Sequence, residues 1–545
     1  MNLKKLQKTI AILLVMATLT VLFAGCGSTT NVPAAEVKPA ETAPAPAESK
    51  LTENAEASGE VTYSVETLKL PGCDRGAPNP YLQKSGGPAD QKVRLIFDSL
   101  LNEGETALDP WLAESFTVDG NVYTFKLHEN ALWHDGEKVT AHDVVFTLDY
   151  YKKFTPATQL ITSGDYNNFD AEALDDYTVQ ITAKDNDATT IVFIGLMYIL
   201  PEHIWKDVTD PMTFTDDAAF IGCGMYKFES YNSAEGTYSY VAFDDYYGPK
   251  VAAKKLQFVP VSDGLLAFEN GEIDLVDVSA DVVDRYENDD SIGFIYKQDD
   301  MIYTLFLNAE RVPAFADPAV RKAIYQAIDR DAIVNNVFRG YATAGSAGHV
   351  SPNNRYYSSD VVEYDYDPEA AKAVLQDLGL SFTITTPNSG FYINSAELIK
   401  MNLAEVGVEV TVDVPESGWM AKFQEGNTDA VINGHGMAAR TPDYLYTCTN
   451  SDVKNTKAAH AFLGSIGISS DRIDELGKKE LYAMDEASRK AAFVELQQAV
   501  SEELPMLTLA TNTYIYMYKK DYYDGWAKSY DYEQFDYCRV SFLEK

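Results

Sequence analysis

His134 and His142 stand eight residues apart, a spacing that raises the question of a shared metal ion. The seven histidines are otherwise scattered, with no His-Glu-x-x-His pair and no Gly-x-Ser-x-Gly elbow. Neither a zinc hydrolase nor a serine hydrolase is signalled. None of the five cysteines lies in a Cys-x-x-Cys pair, which removes zinc ribbons and thioredoxin-type redox sites. Gly222 and Gly224 in "GCGMYKF" precede a strand-like run rather than a helix and lack the full glycine fingerprint, so no nucleotide loop is read there. Acidic pairs are plentiful, yet none is singled out for acid–base work. Nothing in the chain requires catalysis or a cofactor. One stretch does gather reactive side chains: "NGHGMAARTPDYLY", Asn433 to Tyr446, with His435, Arg440, Asp443 and Tyr444 among small residues. The Arg440 fork suits a carboxylate or phosphate, or an ion pair at the surface. Asp443 can receive an amine or cap a turn. His435 reads as a ligand contact or as an ordinary loop histidine.

Strand-like and helix-like segments alternate from Val61 onward, which defines an α/β class. "VYTFKLHE" and "YTVQITAK" alternate as strands. "VTAHDVVFTLDYYKKF" predicts a helix opened by Thr140 and Asp143 in a capping box. "ADPAVRKAIYQAI" and "YDPEAAKAVLQDLGL" use one device twice, an Asp N-cap (Asp317, Asp367) followed by Pro at the first helical position. The second helix should stop at Gly379. "AELIKMNLAEVGVEVTVDV" predicts a helix ending near Gly407 and then a strand, and the 471–505 run predicts two helices closed by Pro505.

The N-terminus is of a different kind. Lys4, Lys5 and Lys8 precede an uncharged run of 16 residues, Thr9 to Ala24. That run is too short to span a bilayer comfortably and suits a signal-peptide core. It ends at Phe23-Ala24-Gly25-Cys26, which resembles the lipobox of bacterial lipoproteins. The resemblance implies cleavage after residue 25 and diacylglycerol on Cys26. Residues 26–60 are rich in Pro, Ala and Glu and lack aromatics, the composition of a disordered tether. The formal net charge of −38 excludes nucleic acid as a partner and mainly confers solubility. Cys73, Cys223, Cys448 and Cys538 permit three disulfide connectivities in an exported protein, or four thiols.

Several short motifs occur in one consistent order. "DPWLAESFTVDGNVYTFKLHENALWHDGEKVTAHDVVFTLD", "YILPEHIW", "IGCGMYKFESY", "FENGEIDLVDV", "DPAVRKAIYQAIDRDAIV" and "YDPEAAKAVLQDLG" are together similar to family 5 extracellular solute-binding proteins, the peptide, dipeptide and nickel receptors of ABC importers. On this resemblance His134 and His142 fall in a structural segment, and the metal reading is set aside. Trp111, Phe116, Tyr123, Phe125 and Trp133 are most simply core aromatics.

The resemblance implies a two-lobed, type II periplasmic-binding-protein-like fold of the large cluster with an extra subdomain. Lobe I would hold 61–308 plus 509–545, with the subdomain at about 101–220, and lobe II 309–508. The chain would cross between them near Leu307-Asn308-Ala309 and Ala510-Thr511-Asn512, and a hinged cleft would trap the ligand. Asn433–Tyr446 would line that cleft, with Trp419 and the loop "PNSGFYIN" (Phe391, Tyr392) as further aromatic candidates. Dipeptide-binding members carry an aspartate where this chain has Met437, Ala438 and Ala439, and nickel-binding members a histidine where Asp443-Tyr444-Leu445 stand here. The expectation is therefore a monomeric, lipid-anchored receptor outside the bacterial membrane that delivers peptides to a permease and its ATPase. A same-fold receptor for a nickel or other chelate, an opine or an oligosaccharide is the alternative, and a surface enzyme acting on wall glycan or peptide the reading from another class.

Overall fold

Two strands far apart in the sequence organise the molecule. The computed structural model describes residues 62–84, 90–103, 108–156, 165–352, 354, 356–436, 444–451 and 466–526. Within it the strand Ile292–Leu307 lies antiparallel to Leu507–Lys519 along nearly its whole length, with a register break between Gln298 and Ile302. Around this pair runs a seven-stranded mixed sheet, in the order Leu275–Asp277, Leu507–Lys519, Ile292–Leu307, Ala430–Gly436, Ser381–Thr385, Glu409–Asp413, with Ala342–Ala344 also on the 507–519 strand. Two four-stranded sheets precede it in the chain. One is Val65–Gly72, Ala253–Pro260, Thr237–Ala242, Tyr226–Asn232; the other is Ala113–Asp119, Val122–Leu127, Thr178–Ala183, Phe169–Ala173.

The apolar side chains collect in separate cores. One core draws on 65–275 together with Tyr516, Tyr523 and Trp526. A second runs from Met301 to Ala510. A third, small core holds Phe268, Val276, Val283, Ile292, Ile515 and Met517. The two long strands thus begin in one core and end in another, changing allegiance on either side of the register break. Tyr123, Phe125 and Trp133 are fully buried, whereas Trp111 and Phe116 are half-buried against the same core. Among the described residues no helix is long and apolar enough to cross a membrane. Residues 1–61, Cys26 among them, lie outside the described residues. Cys73, Cys223 and Cys448 are thiols, and Cys538 is outside the described residues.

The helix signals act as their chemistry requires. The Thr140 N–H donates to Asp143 Oδ2 at 2.8 Å, while Asp143 Oδ1 accepts from the Glu202 N–H at 2.9 Å. One carboxylate thereby fixes the start of the helix Ala141–Lys153 and the start of Glu202–Trp205. Asp317 accepts from the Ala319 N–H at 2.8 Å and Asp367 from Ala370 at 2.9 Å, each with its Pro in the first turn. Arg321, buried on the helix Pro318–Ala327, donates to the carbonyls of Phe315, Ala316, Glu503 and Leu504 at 2.7–3.0 Å. It satisfies acceptors left over at the end of the helix Glu486–Glu503.

His134 and the Gly222–Gly224 loop explain each other. His134 Nε2 lies 2.8 Å from the Gly224 carbonyl, and the Gly222 N–H approaches Nδ1 at 3.4 Å. The ring is thus a neutral donor–acceptor peg, and burial lowers its pKa to about 4. A Cβ on Gly222 would collide with the Ile96 carbonyl oxygen, so the glycine permits a close backbone approach. "PNSGFYIN" differs from its sequence reading. Ser389 is the N-cap and Gly390 the first residue of the helix Gly390–Glu405, so Phe391 and Tyr392 stand on a helical first turn rather than in a loop. Asn433 to Gly436 likewise belong to a strand, paired with Met301 to Thr304. Residues 437–443, which include Arg440 and Asp443, lie outside the described residues.

Candidate ligand-binding cleft

The organising strands carry the walls of a cavity of about 560 Å³. Alternation along Ile292–Leu307 points Met301 and Tyr303 into it. Beside them a π-helical turn, Ile333–Val337, delivers Phe338, Arg339 and Tyr341. Such turns insert one extra residue and redirect the side chains that follow. Phe391 and Tyr392 close this wall from the helix Gly390–Glu405. The rings form one cluster. Tyr303 lies 5.3 Å from Phe338, 4.9 Å from Phe391 and 5.5 Å from Tyr392 between centroids. The Gly434 N–H donates to the Tyr392 hydroxyl at 2.9 Å, and a Cβ on Gly434 would come within 2.5 Å of that oxygen. The glycine therefore lets two rings lie against the strand. Burial pushes the Tyr392 phenol up to about 12, which keeps it a neutral donor.

The other wall is polar. Asp277 ends the strand Leu275–Asp277, and Ser279 and Asp281 open the short helix Ala280–Tyr286. Ser279 Oγ–H donates to Asp281 Oδ1 at 2.7 Å, which lowers the Asp281 pKa. Asp277 behaves oppositely. The residue is exposed, yet neighbouring protein atoms partly desolvate its carboxyl and raise its pKa. Its backbone pairs with the strand Leu507–Lys519, and no hydrogen bond or ion pair reaches its carboxylate among the described residues. Arg339 spans the walls, with its guanidinium 3.1 Å from Asp284 Oδ2. Arg339 holds a left-handed φ of 51° and is followed by Gly340 at 85°. That posture is rare for a side-chain-bearing residue and marks a locally strained turn. Asn512, Thr513 and Tyr514 of the second long strand form the floor.

Of the residues singled out in the sequence, Phe391 and Tyr392 meet in this cleft. Trp419 begins the helix Trp419–Gln424 and packs half-buried on the second core, away from the cavity. His435 is buried on the opposite face of its strand, with Nε2 3.3 Å from Thr304 Oγ1. Tyr444 starts the helix Tyr444–Thr449, and its side chain is outside the described set, as are Arg440 and Asp443. Asp277, Tyr303, Phe338 and Arg339 were not anticipated. Of these, Asp277 alone lies in a stretch that the sequence had marked, the "FENGEIDLVDV" motif.

A mixed α/β body whose ligand cavity is bounded by strands shared between cores is the type II periplasmic-binding-protein fold. The chain belongs to one family within it: the model for bacterial extracellular solute-binding proteins, family 5, matches residues 107–456. It is similar to the dipeptide-binding protein of Escherichia coli (strain K12), 25% identical over 500 residues, covering 83% of this chain and 91% of the relative. Solved structures share the fold. The periplasmic binding protein DppA of Helicobacter pylori, in complex with the peptide STSA, superposes with a TM-score of 0.69 at 22% identity, covering 88% of this chain and 99% of that one. NikZ of Campylobacter jejuni, in complex with Ni(L-His), gives 0.72 at 21% identity, covering 89% and 100%.

Proposed function

We propose that this protein captures short peptides outside the membrane and delivers them to the permease of an ABC importer, whose ATPase supplies the energy. The cleft carries this reading. Its rings offer apolar surface that tolerates many side chains, while Asp277 presents an exposed carboxylate to the same cavity, where a cation can reach it. A peptide ammonium is such a cation, and pairing with it would offset the cost of burying the charge. The similarity to a dipeptide-binding protein over most of both chains favours peptides over other solutes. We place Asp277 on a lobe formed by 61–308 and 509–545, with a subdomain at about 101–220, and the aromatic wall largely on 309–508. Bending where the chain crosses between them, near Leu307-Asn308-Ala309 and Ala510-Thr511-Asn512, would close the lobes, and the Arg339–Asp284 ion pair would latch them in the closed form. Residues 1–25 serve as signal peptide, Cys26 as lipid attachment and 26–60 as tether, so that the receptor works as a membrane-anchored monomer. Arg440, Asp443 and Tyr444 remain candidates for the peptide's carboxylate end.

The test is thermal unfolding with di- to pentapeptides, their N-acetylated forms, nickel–histidine and sugars. A ligand at 100 times its Kd adds roughly 2.7 kcal/mol of stability. Free-amine peptides should shift the transition and acetylated ones should not. A shift with a chelate or sugar and none with any peptide would overturn the proposal.

A further inference from the structure

On the face of the sheet away from the cleft lies a cluster that ligand capture does not use. His349, His435 and Cys448 are buried, and one ligand atom from each lies within 4.8 Å of the others. They come from three places: the loop after Ala342–Ala344, the strand Ala430–Gly436 and the helix Tyr444–Thr449. The imidazoles stack with centroids 5.1 Å apart. Each has one nitrogen at a threonine hydroxyl: His349 Nδ1 is 2.8 Å from Thr508 Oγ1, and His435 Nε2 is 3.3 Å from Thr304 Oγ1. The other nitrogens differ in setting. His435 Nδ1 lies 4.0 Å from Cys448 Sγ, and His349 Nε2, wholly buried, meets no hydrogen-bond partner. His349 also holds a left-handed φ of 59°. A histidine whose second nitrogen is anchored by a hydroxyl or carbonyl is the usual preparation for metal ligation, because the anchor selects the tautomer and aims the lone pair.

We propose that His349, His435 and Cys448 form a closed site for a single copper(I) ion. Two imidazoles and one thiolate are a soft donor set, which selects copper(I) over hard cations. Charge decides against zinc(II). Among the described residues the group contains no carboxylate, so Zn²⁺ with one thiolate would leave a net positive charge among buried side chains, which is costly. Copper(I) with one thiolate is neutral. On binding, the Cys448 S–H bond breaks, its proton passes to solvent and a Cu–S bond forms, so the charge of the site does not change.

The experiment is titration of the whole protein with Cu(I) under ascorbate, without oxygen, against a chromophoric copper(I) chelator. One equivalent should be held, with a copper–thiolate absorption band and sulfur in the ion's shell by X-ray absorption. Cys448→Ser and His349→Gln should each weaken retention at least tenfold. The wild-type spectra decide the matter even if a variant misfolds. No retained equivalent, an ion without sulfur, or Zn(II) displacing Cu(I) under the same competition would each overturn the assignment.

Discussion

Asp277→Asn separates ligand recognition from folding, because an exposed carboxylate contributes little to stability and can contribute much to binding. The substitution preserves shape and removes one charge from the polar wall of the cleft. If Asp277 receives the ligand's ammonium, the lost charge-assisted bond is worth about 1.5–3 kcal/mol. That is a rise in Kd of about 10- to 150-fold. Folding should respond differently. Desolvation raises the Asp277 pKa above its unfolded value, so its contribution to stability is full below the unfolded pKa and is lost as pH rises through the folded one. Because Asp277 is exposed, solvent screens this contribution, and asparagine should leave the melting temperature of the apo protein close to unchanged. Isothermal titration with a free-amine peptide and its acetylated form, alongside thermal unfolding of the apo protein, reads both effects. Unchanged affinity for the free amine, or a clear loss of apo stability, would refute the role given to Asp277.

Gly434→Ala should drive a methyl group into the Tyr392 hydroxyl and the Tyr303 ring, costing about 1–3 kcal/mol of stability and weakening peptide affinity, as urea unfolding and calorimetry would show. Arg321→Met removes a buried cation from four carbonyls and should destabilise by about 3 kcal/mol or more, with peptide affinity unchanged in the molecules that fold. His134 has a folded pKa lowered to about 4, so its stabilisation is present above about 6.5 and is lost as pH falls toward 4. Between pH 6.5 and 5 it should account for about 2 kcal/mol, seen as a shallower pH dependence of the urea midpoint in His134→Asn.

Local chemistry was legible in the sequence where it is self-contained. The Asp-Pro caps at 317 and 367 and the Thr140–Asp143 box announced their helices because every group involved lies within one turn. The order of motifs made the family readable. Phe391 and Tyr392 were recognisable as cleft aromatics, but Gly390 reads as a breaker when its neighbours are unknown, and it masks the N-cap at Ser389. The strand character of His435 was hidden by the glycines on either side. Asp277 lay in a marked motif, but its place beside the rings was not legible, because it depends on Leu275–Asp277 pairing with a strand that begins at Leu507. The trio of His349, His435 and Cys448 follows no ligand spacing for the same reason: sheet pairing and helix packing bring it together.

The strand Ile292–Leu307 acquires both of its neighbours late. Ala430–Gly436 fills one edge and Leu507–Lys519 the other. A chain that emerges from its N-terminus therefore carries a sixteen-residue strand with open hydrogen-bonding edges until nearly all of the sequence is available. Unpaired edges of this kind template misassembly, and long-range pairing is slow to form. Completion of the last long strand is thus the step that commits the body to its native form. A truncation upstream of Leu507 should yield an aggregation-prone product rather than a smaller folded one.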